Sequence, residues 1–247
     1  MKKTLFVFTL LVSSSAFAMD VSNPFYVPAK GNFLSETEAL YENFEHGNTE
    51  NALLSEILSY GVTQNFSVNA KITDKWLLDE PGIHGQDRYD NPAWGVGIKY
   101  NLIDGDKNNW KAQLGADYEQ GGVDHHDKEF SGYVKTGYQM DRFLPYLTVR
   151  VNKSVGKNEA KPSIESRAAL NTILTKKTNL DLGVSYDWDS STSRIQGKHI
   201  SAWSLDAALN YVFSDSMSIG LKGDYVLRSK PTDIDGYDFG LNFKVAF

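Results

Sequence analysis

Along most of this chain apolar and polar residues alternate one by one. Phe66, Val68, Ala70 and Ile72 alternate with Ser67, Asn69, Lys71 and Thr73; Trp110, Ala112, Leu114, Ala116 and Tyr118 alternate with Lys111, Gln113, Gly115, Asp117 and Glu119. A third run sets Leu180, Leu182, Val184, Tyr186 and Trp188 against Asp181, Gly183, Ser185 and Asp187. Side chains along a strand point to opposite faces with a period of two, so each run predicts a strand with one apolar and one wet face. Turn chemistry divides the chain into twelve such strands, over 33–44, 51–62, 66–76, 93–102, 110–119, 129–139, 143–153, 162–174, 179–188, 199–213, 217–228 and 237–247. The first two are irregular. Glu36 and Glu38 point inward if Thr37 and Ala39 point out, whereas Leu54, Leu58 and Tyr60 share a face with Glu56, a conflict that a β-bulge would relieve.

The connections sort by length. Thr63 to Asn65, Ile103 to Asn109, Met140 to Arg142, Thr175 to Thr178 and Ser214 to Ser216 are mostly tight; the intervening ones, 45–50, 77–92, 120–128, 154–161, 189–198 and 229–236, are mostly longer. Short turns at one end, longer loops at the other and an even strand number are the layout of an up-and-down barrel crossing an outer membrane with both termini in the periplasm. A soluble sandwich has no reason to sort its loops by parity. The aromatics agree: Trp76, Trp94, Trp110, Trp188 and Trp203 fall on the apolar face near a strand end, as do Tyr100, Tyr118, Phe130, Tyr138, Tyr211, Phe213 and Tyr225. Amphipathic rings collect at membrane interfaces, so two girdles are expected.

The last run is the cleanest. Tyr237, Phe239, Leu241, Phe243, Val245 and Phe247 alternate with Asp238, Gly240, Asn242, Lys244 and Ala246. Its eleven residues match a tilted strand that crosses a bilayer. Alternating apolar residues closing on a terminal Phe resemble the signal by which bacterial outer-membrane β-barrels are recognised for assembly. The resemblance implies an all-β fold, a transmembrane antiparallel up-and-down β-barrel of about twelve strands. It also implies a place in the outer membrane of a Gram-negative bacterium, among its lipids and lipopolysaccharide, and handling by the barrel-assembly machinery.

The N-terminus fits export. Lys2 and Lys3, an apolar core from Leu5 to Val12 and Ala16-Phe17-Ala18 make residues 1–18 a secretory signal peptide. Pro24, Pro28 and Gly31 exclude residues 19–32 from helix or central strand, so this segment is expected as an extended periplasmic lead-in to a single-domain barrel over 33–247. Hydrophobic content of 41% with a mean hydropathy of −0.39 suits a soluble protein, but alternating lipid-facing and lumen-facing residues give the same average. Loss of Lys2 and Lys3 with the leader takes the net charge from −6 to −8, which speaks against a nucleic-acid partner. There is no cysteine, so closure of the sheet, with every backbone group paired, must stand in for disulfides.

The wet face then lines a lumen. Its charges are Glu36, Glu38, Asp117, Glu119, Glu165, Asp181, Asp187, Asp206, Asp224 and Asp238 against Lys71, Lys99, Lys111, Lys135, Arg150, Arg167, Lys222 and Lys244. Twelve strands fall between filled eight-stranded barrels and open porins of 16 to 18, so the lumen is narrow or closed by its own ion pairs. Small twelve-stranded porins for acidic oligosaccharides and sialic acids are similar in architecture, but the strong Arg and Lys excess that lines theirs is missing here. Inward glycines (Gly95, Gly97, Gly115, Gly137, Gly183, Gly220, Gly240) either leave room along the wall or ease strand bending.

A different chemistry is spelled by His199-Ile200-Ser201. Outer-membrane phospholipases and lipid A deacylases resemble this stretch in carrying His-x-Ser on one strand face, where imidazole can take the serine proton. Their Asn after the serine is Ala202 here, and no third residue orients the histidine. His46, His84, His125 and His126 lie in or beside the longer loops. Asp124-His125-His126-Asp127 carries metal-ligand chemistry on adjacent residues that rarely converge on one ion, so no metal and no cofactor are expected. Protonation of loop histidines beside Asp79, Glu80, Asp87 and Asp90 offers a pH gate. The sequence reads as a porin for passive diffusion of small polar solutes, with a lipid-hydrolysing barrel or a closed structural or adhesive barrel as alternatives.

Overall fold

The computed structural model describes residues 21–44, 49–79, 88–89, 92–104, 109–121, 127–155, 162–192, 199–230 and 236–247. They form β1 (Phe33–Phe44), β2 (Thr49–Gly61), β3 (Phe66–Asp79), β4 (Arg88–Tyr89), β5 (Ala93–Asp104), β6 (Trp110–Gly121) and β7 (Asp127–Tyr138). There follow β8 (Phe143–Val155), β9 (Ser163–Thr175), β10 (Thr178–Thr192), β11 (His199–Ser214), β12 (Met217–Lys230) and β13 (Gly236–Ala246). β4 is a two-residue ladder on β3. The other twelve pair antiparallel with their sequence neighbours, and β1 pairs with both β2 and β13, which closes the ring. The barrel expected from the alternation is therefore the fold observed, with strand ends within a few residues of those expected.

Local chemistry makes the short turns. Asn109 and Asp141 take positive φ (58° and 50°), which short polar side chains tolerate, and the Thr63 and Thr175 hydroxyls accept from the amides of Asn65 and Lys177 (3.3 and 3.1 Å). The longer loops fall largely outside the described residues, and with them His46, His84, His125, His126 and most of the acidic run.

The outer face is apolar all the way round. Ile72, Leu221 and Phe239 are each at least half exposed, and most other outward Leu, Val and Ile residues are exposed too. No soluble monomer leaves a continuous belt of this extent in water, and hydrocarbon is the solvent that suits it. Ring pairs mark both rims. Phe66–Tyr100, Trp110–Tyr138 and Tyr211–Phe213 lie at the short-turn end (6.5, 5.1 and 5.1 Å between centroids), while Trp94–Tyr118 and Tyr186–Trp203 lie at the long-loop end (5.6 and 4.7 Å).

The irregular strands are resolved without the expected bulge. β1 and β2 pair in unbroken register from Phe33↔Tyr60 to Phe44↔Thr49, and the β2–β3 register slips only at Glu50/Asn51. Glu56 therefore does face outward with Leu54, Leu58 and Tyr60. It is the Cα partner of Thr37, whose hydroxyl donates to both carboxylate oxygens at 2.9 Å. A cross-strand hydroxyl, rather than a kinked backbone, is what accommodates this carboxylate on the apolar face.

Residues 21–32 run into the barrel at its short-turn end. Val21, Phe25 and Val27 are 1%, 3% and 6% exposed. Phe25 packs on Leu144, Tyr146 and Ala169, the only buried apolar cluster among the described residues, and meets the Tyr146 ring edge-on at 6.0 Å. Burying one Phe is worth about 1.5–3 kcal/mol. Gly61 lets the segment pack closely against the end of β2: a Cβ there would sit 2.1 Å from the Ala29 carbonyl oxygen, and Gly31, at φ 85°, donates to the Gly61 carbonyl at 2.8 Å.

Candidate functional site: the barrel lumen

The inward register carries the charges that the alternation assigned to it. Among the described residues, half of them meet in ion pairs. Lys71 meets Glu119 at 3.1 Å, Lys244 meets Glu36 at 3.2 Å, and Lys222 is bonded to Glu38. Arg167 on β9 holds two carboxylates, Asp181 on β10 and Asp206 on β11; its Nε reaches Asp206 Oδ1 at 2.9 Å. Asp181 is further held by the Tyr146 hydroxyl at 2.9 Å and by Asn171 Nδ2 at 3.3 Å.

Strand pairing also gathers like charges side by side. Asp206, Asp224, Asp238 and Glu42 are successive Cα partners across β11, β12, β13 and β1. Lys99, Lys111, Lys135 and Arg150 stand on β5, β6, β7 and β8, half a turn round the ring. An acidic arc therefore faces a basic one, although Asp117 and Glu119 interrupt the basic side and Lys222 and Lys244 the acidic side.

The lead-in segment divides the lumen. Asn101 Nδ2 and Gln113 Nε2 donate to the Phe25 carbonyl (3.2 and 3.3 Å), Lys135 Nζ donates to the Pro24 carbonyl (2.9 Å), and Asn179 Nδ2 donates to Ser22 Oγ. Gln113 is in turn bonded to Asn101 (2.8 Å) and to the Tyr133 hydroxyl (3.2 Å). Strands β5, β6, β7 and β10 thus each offer a polar side chain to the segment. Burial there pushes the Tyr26 phenol up to about 12.

Cavities lie on either side of the segment among the described residues. One, of about 420 Å³, lies in the long-loop half and is lined by Lys71, Lys99, Asp117, Lys135, Arg150, Glu165 and Arg167 among others. The other, of about 340 Å³, lies in the short-turn half and is lined by Ser22, Tyr26, Glu36, Lys99, Lys135, Asp181, Lys222 and Lys244 among others. Of the lumen charges read from the sequence, Glu38, Lys111, Asp187, Asp206, Asp224 and Asp238 line neither cavity.

Sequence reasoning missed the inward tyrosines. Tyr133 and Tyr146 are each 8% exposed and face the lumen, where aromatics had been assigned to the outer face. Strand parity was the available signal, since Tyr133 shares a face with Ser131, Lys135 and Gly137. The inward glycines leave room that these residues fill: a Cβ on Gly115 would lie 2.2 Å from the Tyr133 ring. Ser201 is the Cα partner of Trp188 on the outer face of β11, and the His199 side chain lies outside the described residues. Among the described residues no three His, Asp or Glu side chains converge as metal ligands.

Comparison with known proteins places this geometry. A family model described as "Protein of unknown function, DUF481" matches residues 65–213, more than half of the chain. No curated protein matches the sequence. Among solved structures, the COG4313 outer membrane channel from Pseudomonas putida F1 is similar with a TM-score of 0.65 at 10% identity, over 93% of this chain and 100% of that one. The NanC porin gives 0.57 at 11% identity, over 84% and 98% of the two chains. The KdgM porin in complex with disordered oligogalacturonate gives 0.54 at 11%, over 84% and 98%. At such identities the likeness is one of fold, and the fold is that of outer-membrane β-barrels.

Proposed function

The chain belongs to the DUF481 family, and we propose that this member is an outer-membrane porin through which small polar solutes diffuse passively along a narrow lumen of mixed charge. One observation carries the reading: inside a closed ring with an apolar exterior lie two hydrated-size cavities, one in each half, lined by opposed charges. A solute crossing between an acidic and a basic arc meets a transverse field, which orders water and dipoles and screens solutes by size and hydration. No enzymatic step is needed. Planar-bilayer recording of the refolded chain tests the reading: stepwise ohmic currents are expected, and a bilayer that stays silent with folded protein inserted would overturn it.

The same proposal sets the protein in a Gram-negative outer membrane, exported by residues 1–18, with the short-turn end and both termini in the periplasm, and lipids and lipopolysaccharide around the belt. The strand Tyr237, Phe239, Leu241, Phe243, Val245 and Phe247 then serves as the signal read by the assembly machinery. Its position supports this, because β13 is the closing strand, with Phe33 and Phe247 exchanging both backbone bonds (2.7 and 2.9 Å) and stacking at 5.7 Å. Deletion of Phe247 should leave most of the protein unassembled in cell envelopes. Undiminished heat-modifiable barrel in the outer-membrane fraction would remove that role.

A further inference from the structure

The two cavities share only three lining residues, Pro24, Lys99 and Lys135. These three residues stand where the two cavities adjoin. Resting on the channel reading above, we infer that Lys99 and Lys135 form a binding site for a compact oxyanion, a carboxylate or phosphate group carried by the permeating solute.

The charge accounting of the lumen points there. Lys71, Lys222, Lys244 and Arg167 each have a carboxylate at ion-pair distance. Lys99 Nζ has no ion pair or hydrogen bond among the described residues, and Lys135 Nζ bonds only the Pro24 carbonyl, at 2.9 Å. The carboxylates that face them are occupied: Glu36 takes Lys244 and Asn242 Nδ2 (3.2 and 2.6 Å), and Asp117 takes the Ser131 hydroxyl at 3.5 Å. Aromatic faces hold the Lys135 ammonium instead, with the Phe25, Tyr146 and Tyr133 ring centroids at 5.6, 5.8 and 5.9 Å. Arg150 lies over the other side of the junction, its guanidinium 5.2 Å from the Tyr133 centroid.

Glu36 and Asp117 lie near Lys99 and Asp181 near Lys135, but none of them is bonded to either lysine, so an anion entering the junction is attracted by both and a cation is repelled. Lys99 is the Cα partner of Gly115, and Gly115 of Tyr133, so the wall beside Lys99 carries no side chain of its own, and the Tyr133 ring fills the recess. Pro24 has no amide hydrogen to offer, so the donors common to both cavities are the two lysines.

Planar-bilayer recording of the full chain under a KCl gradient, with inorganic phosphate as the probe, tests the inference. The wild type should select chloride over potassium and lose current when phosphate is added. Lys99→Gln should lower the anion-to-cation permeability ratio by about fivefold, the effect of one unit charge at contact distance in water, and should relieve the phosphate block. Lys99→Arg should retain both properties. Lys153→Gln, the same charge change on the outer face, should leave both unchanged. Currents without anion preference, or a ratio and block indifferent to Lys99→Gln, would overturn the site while leaving the channel reading standing. Absence of any current in folded wild type would end both.

Discussion

Deleting residues 21–28 is expected to raise single-channel conductance roughly two- to threefold, because the segment occupies lumen cross-section that twelve strands would otherwise leave to water. Phe25 anchors it on Leu144 and Tyr146, and its backbone carbonyls are taken by Asn101, Gln113 and Lys135, so the occupancy is specified rather than incidental. The deletion removes these contacts and leaves Asn101, Gln113 and Lys135 to be solvated by incoming water. Phe25→Ser is the companion variant. It keeps the chain length, takes away the apolar anchor, and should give flickering between the wild-type level and the larger one. Conductance of both variants equal to wild type, in barrels that still migrate as folded, would mean that the segment does not set the constriction.

Arg167→Gln should destabilise the barrel by about 2 kcal/mol or more, read as a lowered midpoint of urea unfolding in lipid vesicles. Arg167 bridges Asp181 and Asp206, whose side chains are 9% and 20% exposed, so its loss leaves two carboxylates facing each other. Breaking a fully buried pair costs about 3–5 kcal/mol, and partial solvent access at Asp206 lowers that figure. The penalty belongs to the stranded charge. Arg167→Gln combined with Asp206→Asn should therefore recover a good part of it, while Asp181 keeps its bonds from Tyr146 and Asn171. A midpoint unmoved by Arg167→Gln would show that the network is solvated and energetically idle.

The strands were legible because alternation is a property of a single strand. From Phe66 to Thr73, or from Tyr237 to Phe247, the residues themselves state which face is apolar, and the pleat forces the register. The same parity rule assigned Lys99, Lys135 and Arg167 to the interior. It also contained the inward tyrosines, Tyr133 and Tyr146, which were hidden by the expectation that aromatics belong at membrane rims. Glu56 looked like a register error because its partner, Thr37, lies on another strand, and no pattern within β2 announces a cross-strand hydroxyl.

By itself, then, the sequence determined the period, the number of strands, their short and long connections, and the two chemically different faces. Each of these follows from nearest-neighbour backbone geometry. Only the tertiary structure decided where residues 21–32 lie and which lumen charges cancel, since Lys222 meets Glu38 and Lys135 meets Pro24 across separations of more than a hundred residues. Those meetings exist only once β1 has closed on β13. A closed ring brings distant side chains into a space too narrow for each to keep its own water, so the partners, and the cations left without one, are fixed by closure rather than by pattern.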